Sequence, residues 1–191
     1  GIRQLERENL CGACTERWRE SPRDRGAVRW ETVWQLDMTG PGASIQSLIN
    51  NELREDVVFA NCPHCKAKDV ARVTKLRVVD TCRYLLVALK RFTHDGIQAR
   101  KINDPVAVDE RLNIDVDGER CSFELRGIVE HSGRTAGEGH YTALVKYRKN
   151  ADYFWFCDGR PDGSEEFFNA VPTKEALKAQ PYLLLYKREE K

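Results

Sequence analysis

Nowhere in its 191 residues does the sequence hold an apolar run approaching the roughly 20 residues that a bilayer-spanning helix needs, so a transmembrane helix is excluded. No secretory signal pattern opens it. Blocks of one charge are also missing: 31 Lys and Arg face 30 Asp and Glu, a net charge of +1. Nucleic-acid and membrane-surface binders concentrate basic residues in a stripe or block, so neither partner is expected. There is no internal repeat and no low-complexity segment. The first residue is Gly1 rather than methionine, which reads as an excised or incomplete chain, so a missing targeting signal says little about the parent protein. What remains is of ordinary globular character, with 41% hydrophobic residues, enough for one large domain or two small lobes.

Cysteine is the residue in excess, seven in all. Cys11 and Cys14 form one C-x-x-C pair, Cys62 and Cys65 another, with 47 residues between the pairs. Four soft thiolates on two turns can converge tetrahedrally on Zn²⁺ when two hairpin ends meet. The long separation suits an extended β lobe clamped at its tip rather than a compact zinc ribbon. His64 lies inside the second pair, where a residue normally faces away from the metal. A thioredoxin-like redox pair would precede a βαβ unit, and neither pair does. Cys11-Gly12-Ala13-Cys14 also matches the opening of the papain-type nucleophile signature, which makes Cys14 an alternative nucleophile. That match fails at Thr15, where the signature wants an aromatic residue, and it leaves Cys62 and Cys65 unexplained. Cys82, Cys121 and Cys157 stand singly in apolar, strand-like stretches, as small core residues do. Seven cysteines are many for an intracellular protein unless most serve a metal; the odd count and these spacings favour that use and a reducing compartment, cytoplasm or nucleus, over a disulfide framework.

The hydrophobic pattern is mostly of period two. Alternation from Val28 to Leu36 predicts a strand, and Gly40-Pro41-Gly42 breaks it. Ser44 can cap a short helix carrying Ile45, Leu48, Ile49 and Leu53 on one face. Val70–Val79 and Tyr84–Phe92 read as strands, and Thr93–Lys101 as a polar loop. Leu112, Ile114 and Val116 lead into the hairpin turn Asp117-Gly118 and a return strand through Cys121, Phe123, Leu125 and Gly127. Ser132–Gly139 is a second loop. Tyr141–Tyr147, Tyr153–Cys157 and Tyr182–Tyr186 are further strands, with a helix over Lys174–Ala179. The class is a strand-rich α+β.

Gly139-His140-Tyr141-Thr142-Ala143-Leu144-Val145 places a histidine between a glycine that keeps one side open and a strand that holds it, as a general base requires. His140 is the candidate catalytic residue, yet no serine or cysteine is its obvious nucleophile. Asp158 lies 18 residues on, at the end of Tyr153–Cys157. If Tyr141–Tyr147 and Tyr153–Cys157 pair antiparallel, the start of one lies beside the end of the other, and Asp158 can orient the imidazole. Asp162 is the fallback.

Four blocks in order resemble the ubiquitin-specific proteases, cysteine-type deubiquitinases: Tyr84–Phe92, Val129-Glu130-His131-Ser132-Gly133, Gly139–Ala143 and Tyr182-Leu183-Leu184-Leu185-Tyr186. With the two C-x-x-C pairs the resemblance covers nearly the whole chain. It implies a papain-like cysteine protease hand with β-rich fingers and palm, the helical thumb being absent. Residues 1–80 would be zinc-bearing fingers and residues 81–191 the palm. His140 would be the base, Asp158 its orienter, and Cys11, Cys14, Cys62 and Cys65 the ligands of a structural zinc. Gly139 and Tyr141 would line the channel for ubiquitin's C-terminal tail, with the loops at 93–101 and 132–139 bordering it. His131 would be a hydrogen-bonded structural residue. The chain departs from the pattern at Gly159, where the family often has a second Asp, and it has no counterpart of the Asn-rich cysteine block. The implied function is the C-terminal part of an enzyme that hydrolyses bonds after ubiquitin's last glycine, inactive alone, its partner ubiquitin or a ubiquitinated protein and its nucleophile upstream of Gly1. A catalytically dead ubiquitin-binding scaffold and a papain-type peptidase using Cys14 are the alternatives. Without a thumb, an apolar palm face should stand open.

Overall fold

The structure, a computed structural model, describes residues 3–16, 29–38, 42–94, 96, 99–135, 138–148, 151–158 and 169–190. In chain order its elements are β1 (Arg3–Cys11), β2 (Arg29–Glu31), β3 (Val33–Leu36), α1 (Ile45–Glu52), β4 (Asp56–Ala60), β5 (Val70–Thr81), β6 (Tyr84–Leu89), β7 (Phe92–His94), β8 (Ala99–Lys101), β9 (Arg111–Val116), β10 (Glu119–Ser132), β11 (His140–Val145), β12 (Tyr153–Cys157), β13 (Asn169–Pro172), α2 (Thr173–Ala176) and β14 (Pro181–Arg188). This is the strand-rich α+β class expected.

All strands except the β7–β8 hairpin belong to one sheet, ordered β13-β12-β11-β10-β9-β5-β1-β2, with β4 added to β5 and a branch of β14, β6 and β3 leaving β10. The junction is β10. Its first part pairs with β9, its last part pairs with β11 from Gly127 to Ser132, and β14 runs along its other edge. Asp117-Gly118 makes the predicted hairpin turn with φ of 48° and 85°, the left-handed pair that a two-residue hairpin loop demands. β5 meets β9 at a single register position, Val78 opposite Val116, and this narrow joint connects the β1–β2–β4–β5 end to the rest.

The core lies on one face of the β3–β6–β14–β10–β11–β12 region. Alternation places Trp34 and Leu36, Val87 and Leu89, Ile128, Leu144, Phe154 and Leu184 on that face, and α1 covers part of the core with Ile45, Leu48 and Ile49. Burying each such side chain stabilises the fold by about 1.5–3 kcal/mol relative to exposure. Helix α1 starts where Ser44 predicts it: Ser47 N–H donates to Ser44 Oγ while Ser44 N–H donates to Ser47 Oγ, a reciprocal cap. At the end of β11 the buried Lys146 ammonium bonds Glu110 at 2.8 Å and lies 3.7 Å from Glu124, itself paired with Arg126 at 2.9 Å. Lys146 and Glu124 are the buried members, and removing either one costs about 3–5 kcal/mol, because a buried charge loses its partner.

The opposite face of this region is only half covered. Residues directly opposed across a ladder share a face, so Leu86 and Ala88, Leu183 and Leu185, Gly127 and Val129, Ala143 and Val145, and Trp155 form one apolar surface, with Val145 38% exposed.

Five expectations need correction. Cys82, expected as a small core residue, is exposed between β5 and β6. The strand predicted from Val28 to Leu36 is two strands, broken at Thr32: β2 pairs with β1, whereas β3 pairs in parallel with β6. Val28 lies outside the described residues. The segment 93–101 is not a plain loop but the β7–β8 hairpin, with Phe92 opposite Lys101. The strand predicted to run from Tyr84 into Phe92 ends at Leu89, because Lys90 and Arg91 turn the chain. The helix expected over Lys174–Ala179 is the single turn α2, beginning at Thr173 after Pro172.

Candidate active site and metal centre

The β1–β5 ladder brings the two cysteine pairs together, since Cys11 ends β1 opposite Arg72 and Cys62 follows β4, which pairs with the start of β5. Each pair folds as the same knuckle. Thr15 N–H donates to the Cys11 carbonyl and Lys66 N–H to the Cys62 carbonyl, while Ala13 N–H and His64 N–H each point at the first sulfur of their own pair from 3.4 Å. The residue after each second cysteine is left-handed, Thr15 at φ 57° and Lys66 at φ 62°. Such non-glycine backbone is uncommon, and finding it twice in equivalent places marks two copies of one turn. Gly12 eases the close approach of the two strands, since a Cβ there would lie a tight 3.1 Å from the Ala71 carbonyl oxygen.

The four sulfurs lie within 4.8 Å of one another, with Cys11–Cys65 and Cys14–Cys62 both at 4.0 Å. Four thiolates 2.3 Å from a tetrahedral zinc stand about 3.8 Å apart, so the residues present fit that ion. His64 is not in the group. Backbone donors from Cys14 and Ala13 pull the Cys11 thiol down to about 7. The Glu16 backbone also pulls on Cys14, but desolvation and the neighbouring thiols override it and push that thiol up to about 12. Crowded thiols cannot all ionise by themselves, and a divalent cation removes that conflict. The same packing places Cys14 among the other three thiols, not beside His140, which disfavours it as a nucleophile.

The hairpin anticipated for the base is present. β11 and β12 pair antiparallel, with Ala143 opposite Cys157, Leu144 opposite Phe156 and Val145 opposite Trp155. Continuing that register sets Asp158 on the face shared by Thr142 and His140, and His140 Nε2 lies 2.5 Å from Asp158 Oδ1. The His140 side chain is 50% exposed, and among the described residues no hydrogen bond engages its Nδ1. The carboxylate therefore fixes the ring through one nitrogen and leaves the other open for a proton. Asp162 and Gly159 lie outside the described residues.

Aromatic rings floor this site. His131, 6% exposed, lies opposite Tyr141 with ring centroids 4.6 Å apart, and Phe92 and Tyr182 complete the cluster at 5.6 and 6.1 Å. Tyr141 is 47% exposed above it. The expectation of a hydrogen-bonded His131 is not met: among the described residues neither ring nitrogen has a partner. Burial lowers its pKa, and the charge of Lys101 lowers it further, both favouring the neutral ring. The glycines explain the tightness. Gly139 has φ 154°, and a Cβ there would collide with His131 Nε2 and the Ser132 carbonyl oxygen, while one on Gly133 would collide with the Glu138 carbonyl oxygen.

Two cations hold the surroundings, and sequence reasoning named neither. Buried Arg91 donates from Nε to the Pro181 carbonyl at 2.6 Å and from Nη1 to the Ile102 and Asp104 carbonyls at 3.1 Å. Lys101 donates to the His131 carbonyl at 2.6 Å and to that of Gly133 at 3.2 Å. The apolar run of β6 ending in Lys90-Arg91 was the only available signal for Arg91; nothing local marked Lys101.

Comparison with known proteins agrees with these features. A family model described as "Ubiquitin carboxyl-terminal hydrolase" matches residues 3–186. "Ubiquitin carboxyl-terminal hydrolase 45" of Mus musculus is 38% identical over 133 residues, covering 54% of this chain and 16% of that protein. "Probable ubiquitin carboxyl-terminal hydrolase 16" of Schizosaccharomyces pombe is 23% identical over 193 residues, covering 97% of this chain and 38% of its own length. The chain thus spans well under half of either relative. Among solved structures, the SAGA Ubp8/Sgf11/Sus1/Sgf73 DUB module bound to ubiquitin aldehyde has a chain that superposes with a TM-score of 0.78 at 22% identity, covering 99% of this chain and 41% of that one. The likeness establishes the fold, the β-rich part of a papain-like hand.

Proposed function

The chain belongs to the ubiquitin carboxyl-terminal hydrolase family, and from that membership we propose that it is the fingers and palm of a cysteine deubiquitinase whose nucleophilic thiol lies N-terminal to residue 1. The observation that carries this reading is the His140–Asp158 pair, held at 2.5 Å with Nδ1 open. In the complete enzyme the thiol gives its proton to His140 Nδ1 and attacks the carbonyl carbon of ubiquitin's last glycine. Asp158 holds the tautomer and stabilises the imidazolium. His140 then returns the proton to the departing amine, of a lysine side chain or a peptide, as the C–N bond breaks. Water, deprotonated by the same imidazole, hydrolyses the thioester. Gly139 and Tyr141 would line the channel for the ubiquitin tail.

Residues 1–80 serve as the fingers and residues 81–191 as the palm in this reading. Cys11, Cys14, Cys62 and Cys65 would hold one structural zinc, whose chemistry is to clamp the two knuckles into a single tip. The half-covered apolar face of β6, β14, β10, β11 and β12 supports the expectation of a further lobe, since an uncovered apolar sheet face normally marks a contact. The seven cysteines carry no disulfide, which suits a reducing compartment, cytoplasm or nucleus.

The test is turnover of a fluorogenic ubiquitin C-terminal amide by the full-length enzyme and its His140→Ala variant. Loss of about 10³-fold or more in kcat with ubiquitin binding retained is expected. A wild-type protein that binds ubiquitin without turnover would make the chain a scaffold, and an unchanged rate in the variant would remove His140 from the mechanism.

A further inference from the structure

We infer that Lys101 is a positioning residue for His140, locking the β7–β8 hairpin to the turn that carries the base; this rests on the reading of His140 as general base. Lys101 ends β8, and its ammonium spans two carbonyls of the segment that leaves β10, those of His131 and Gly133. Ser132, between them, is the residue paired with His140 across the β10–β11 ladder. The cation is thus one residue removed, on either side, from the backbone that sets where His140 begins.

The contact has no slack on its far side. The His131 ring is pinned between Phe92, from the same hairpin as Lys101, and Tyr141, the residue after His140. The ring also abuts Gly139, the residue before His140, so closely that no Cβ fits. Among the described residues neither ring nitrogen of His131 has a partner, so no side-chain hydrogen bond of His131 to them holds this turn. Lys101 supplies directional bonds that join the hairpin to the turn, charge-assisted bonds to carbonyl oxygens, which are stronger than neutral ones. Ring packing resists compression but not sliding, whereas two bonds from one ammonium resist sliding. Removing them frees the hairpin and the turn to shift relative to each other, and His140 moves with the turn.

Displacing a catalytic group by about 1 Å can cost on the order of 10²-fold in rate. In the full-length enzyme, Lys101→Met is therefore expected to lower kcat for the fluorogenic ubiquitin amide about 10–100-fold, with KM within about twofold of wild type. Lys101→Arg keeps a cation able to donate to both carbonyls and should recover most of the loss. His140→Ala is run beside them. If wild type turns over, His140→Ala is dead and Lys101→Met matches wild type, the positioning role fails and the general base stands. If His140→Ala is as active as wild type, the reading beneath it fails instead. Should Lys101→Met lose ubiquitin binding and thermal stability together with turnover, and Lys101→Arg restore none of them, the residue is structural only and the inference is overturned.

Discussion

Two sites in this molecule are assembled from residues far apart in sequence, and they are built in opposite ways. The cysteine centre is made of two copies of one local turn, each complete in six residues with its own backbone bonds and its own left-handed residue, Thr15 or Lys66. Sheet pairing has only to bring the two copies together. The His140–Asp158 pair has no local unit. It exists because β11 and β12 pair in one register, and a slip of one residue would turn Asp158 to the other face. The candidate metal centre is thus carried by two turns, whereas the His140–Asp158 pair depends on a sheet register, with a ring floor and cations around it.

If that contrast is right, the two sites should fail separately. The largest effect is expected from Cys62→Ser, which removes a ligand. Zinc content should fall from about one per chain towards none, and amide-exchange protection in β1, β4 and β5 should go with it, because metal binding in such centres is itself folding free energy. β10 to β12 should keep their protection. Loss of protection throughout the sheet would show that the narrow β5–β9 joint does not separate them.

The next effect strikes the other site alone. Gly139→Ala forces a Cβ into His131 Nε2 and the Ser132 carbonyl, so kcat of the full-length enzyme should drop about 10²-fold with zinc content unchanged, as read by turnover and metal analysis of one sample. Comparable in size and more discriminating is the pair Asp158→Ala and Asp158→Asn. An amide oxygen also accepts from the imidazole, as in the Cys-His-Asn sites of papain-like proteases, so Asn should stay within about tenfold of wild type while Ala loses about 10²-fold or more. Equal losses would mean that the negative charge, not orientation, is what Asp158 supplies. Smallest is Ser44→Ala, which removes the α1 cap and touches neither site. Denaturant titration should show about 1 kcal/mol of lost stability with metal content and turnover intact.

How far each site could be read beforehand follows from the same contrast. C-x-x-C spacing is local, so the ligand set is legible without any tertiary information, and the Ser44 cap and the Asp117-Gly118 turn are legible for the same reason. Asp158 was reachable because one hairpin separates it from His140. The β7–β8 hairpin was hidden by its polar composition, which resembles a loop; only three residues pair on each side. The double role of β10 could not be seen, since alternation records which face is buried and not which neighbour it meets. β1 was missed because Arg3–Cys11 is rich in charge, and its partners lie more than 60 residues away in β5. Lys101 and the surroundings of His131 were beyond sequence reasoning: the first depends on where a turn 30 residues later comes to rest, the second on rings brought in from Phe92, Tyr141 and Tyr182.

The central claim, that His140 and Asp158 serve a thiol this chain does not contain, is tested most directly by trapping that thiol. The full-length protein is treated with ubiquitin carrying a C-terminal electrophile, and the modified cysteine is located by peptide mass spectrometry. The adduct is predicted on a cysteine N-terminal to residue 1, and to disappear in His140→Ala. An adduct on Cys14, Cys157 or any other of the seven cysteines described above would contradict the account.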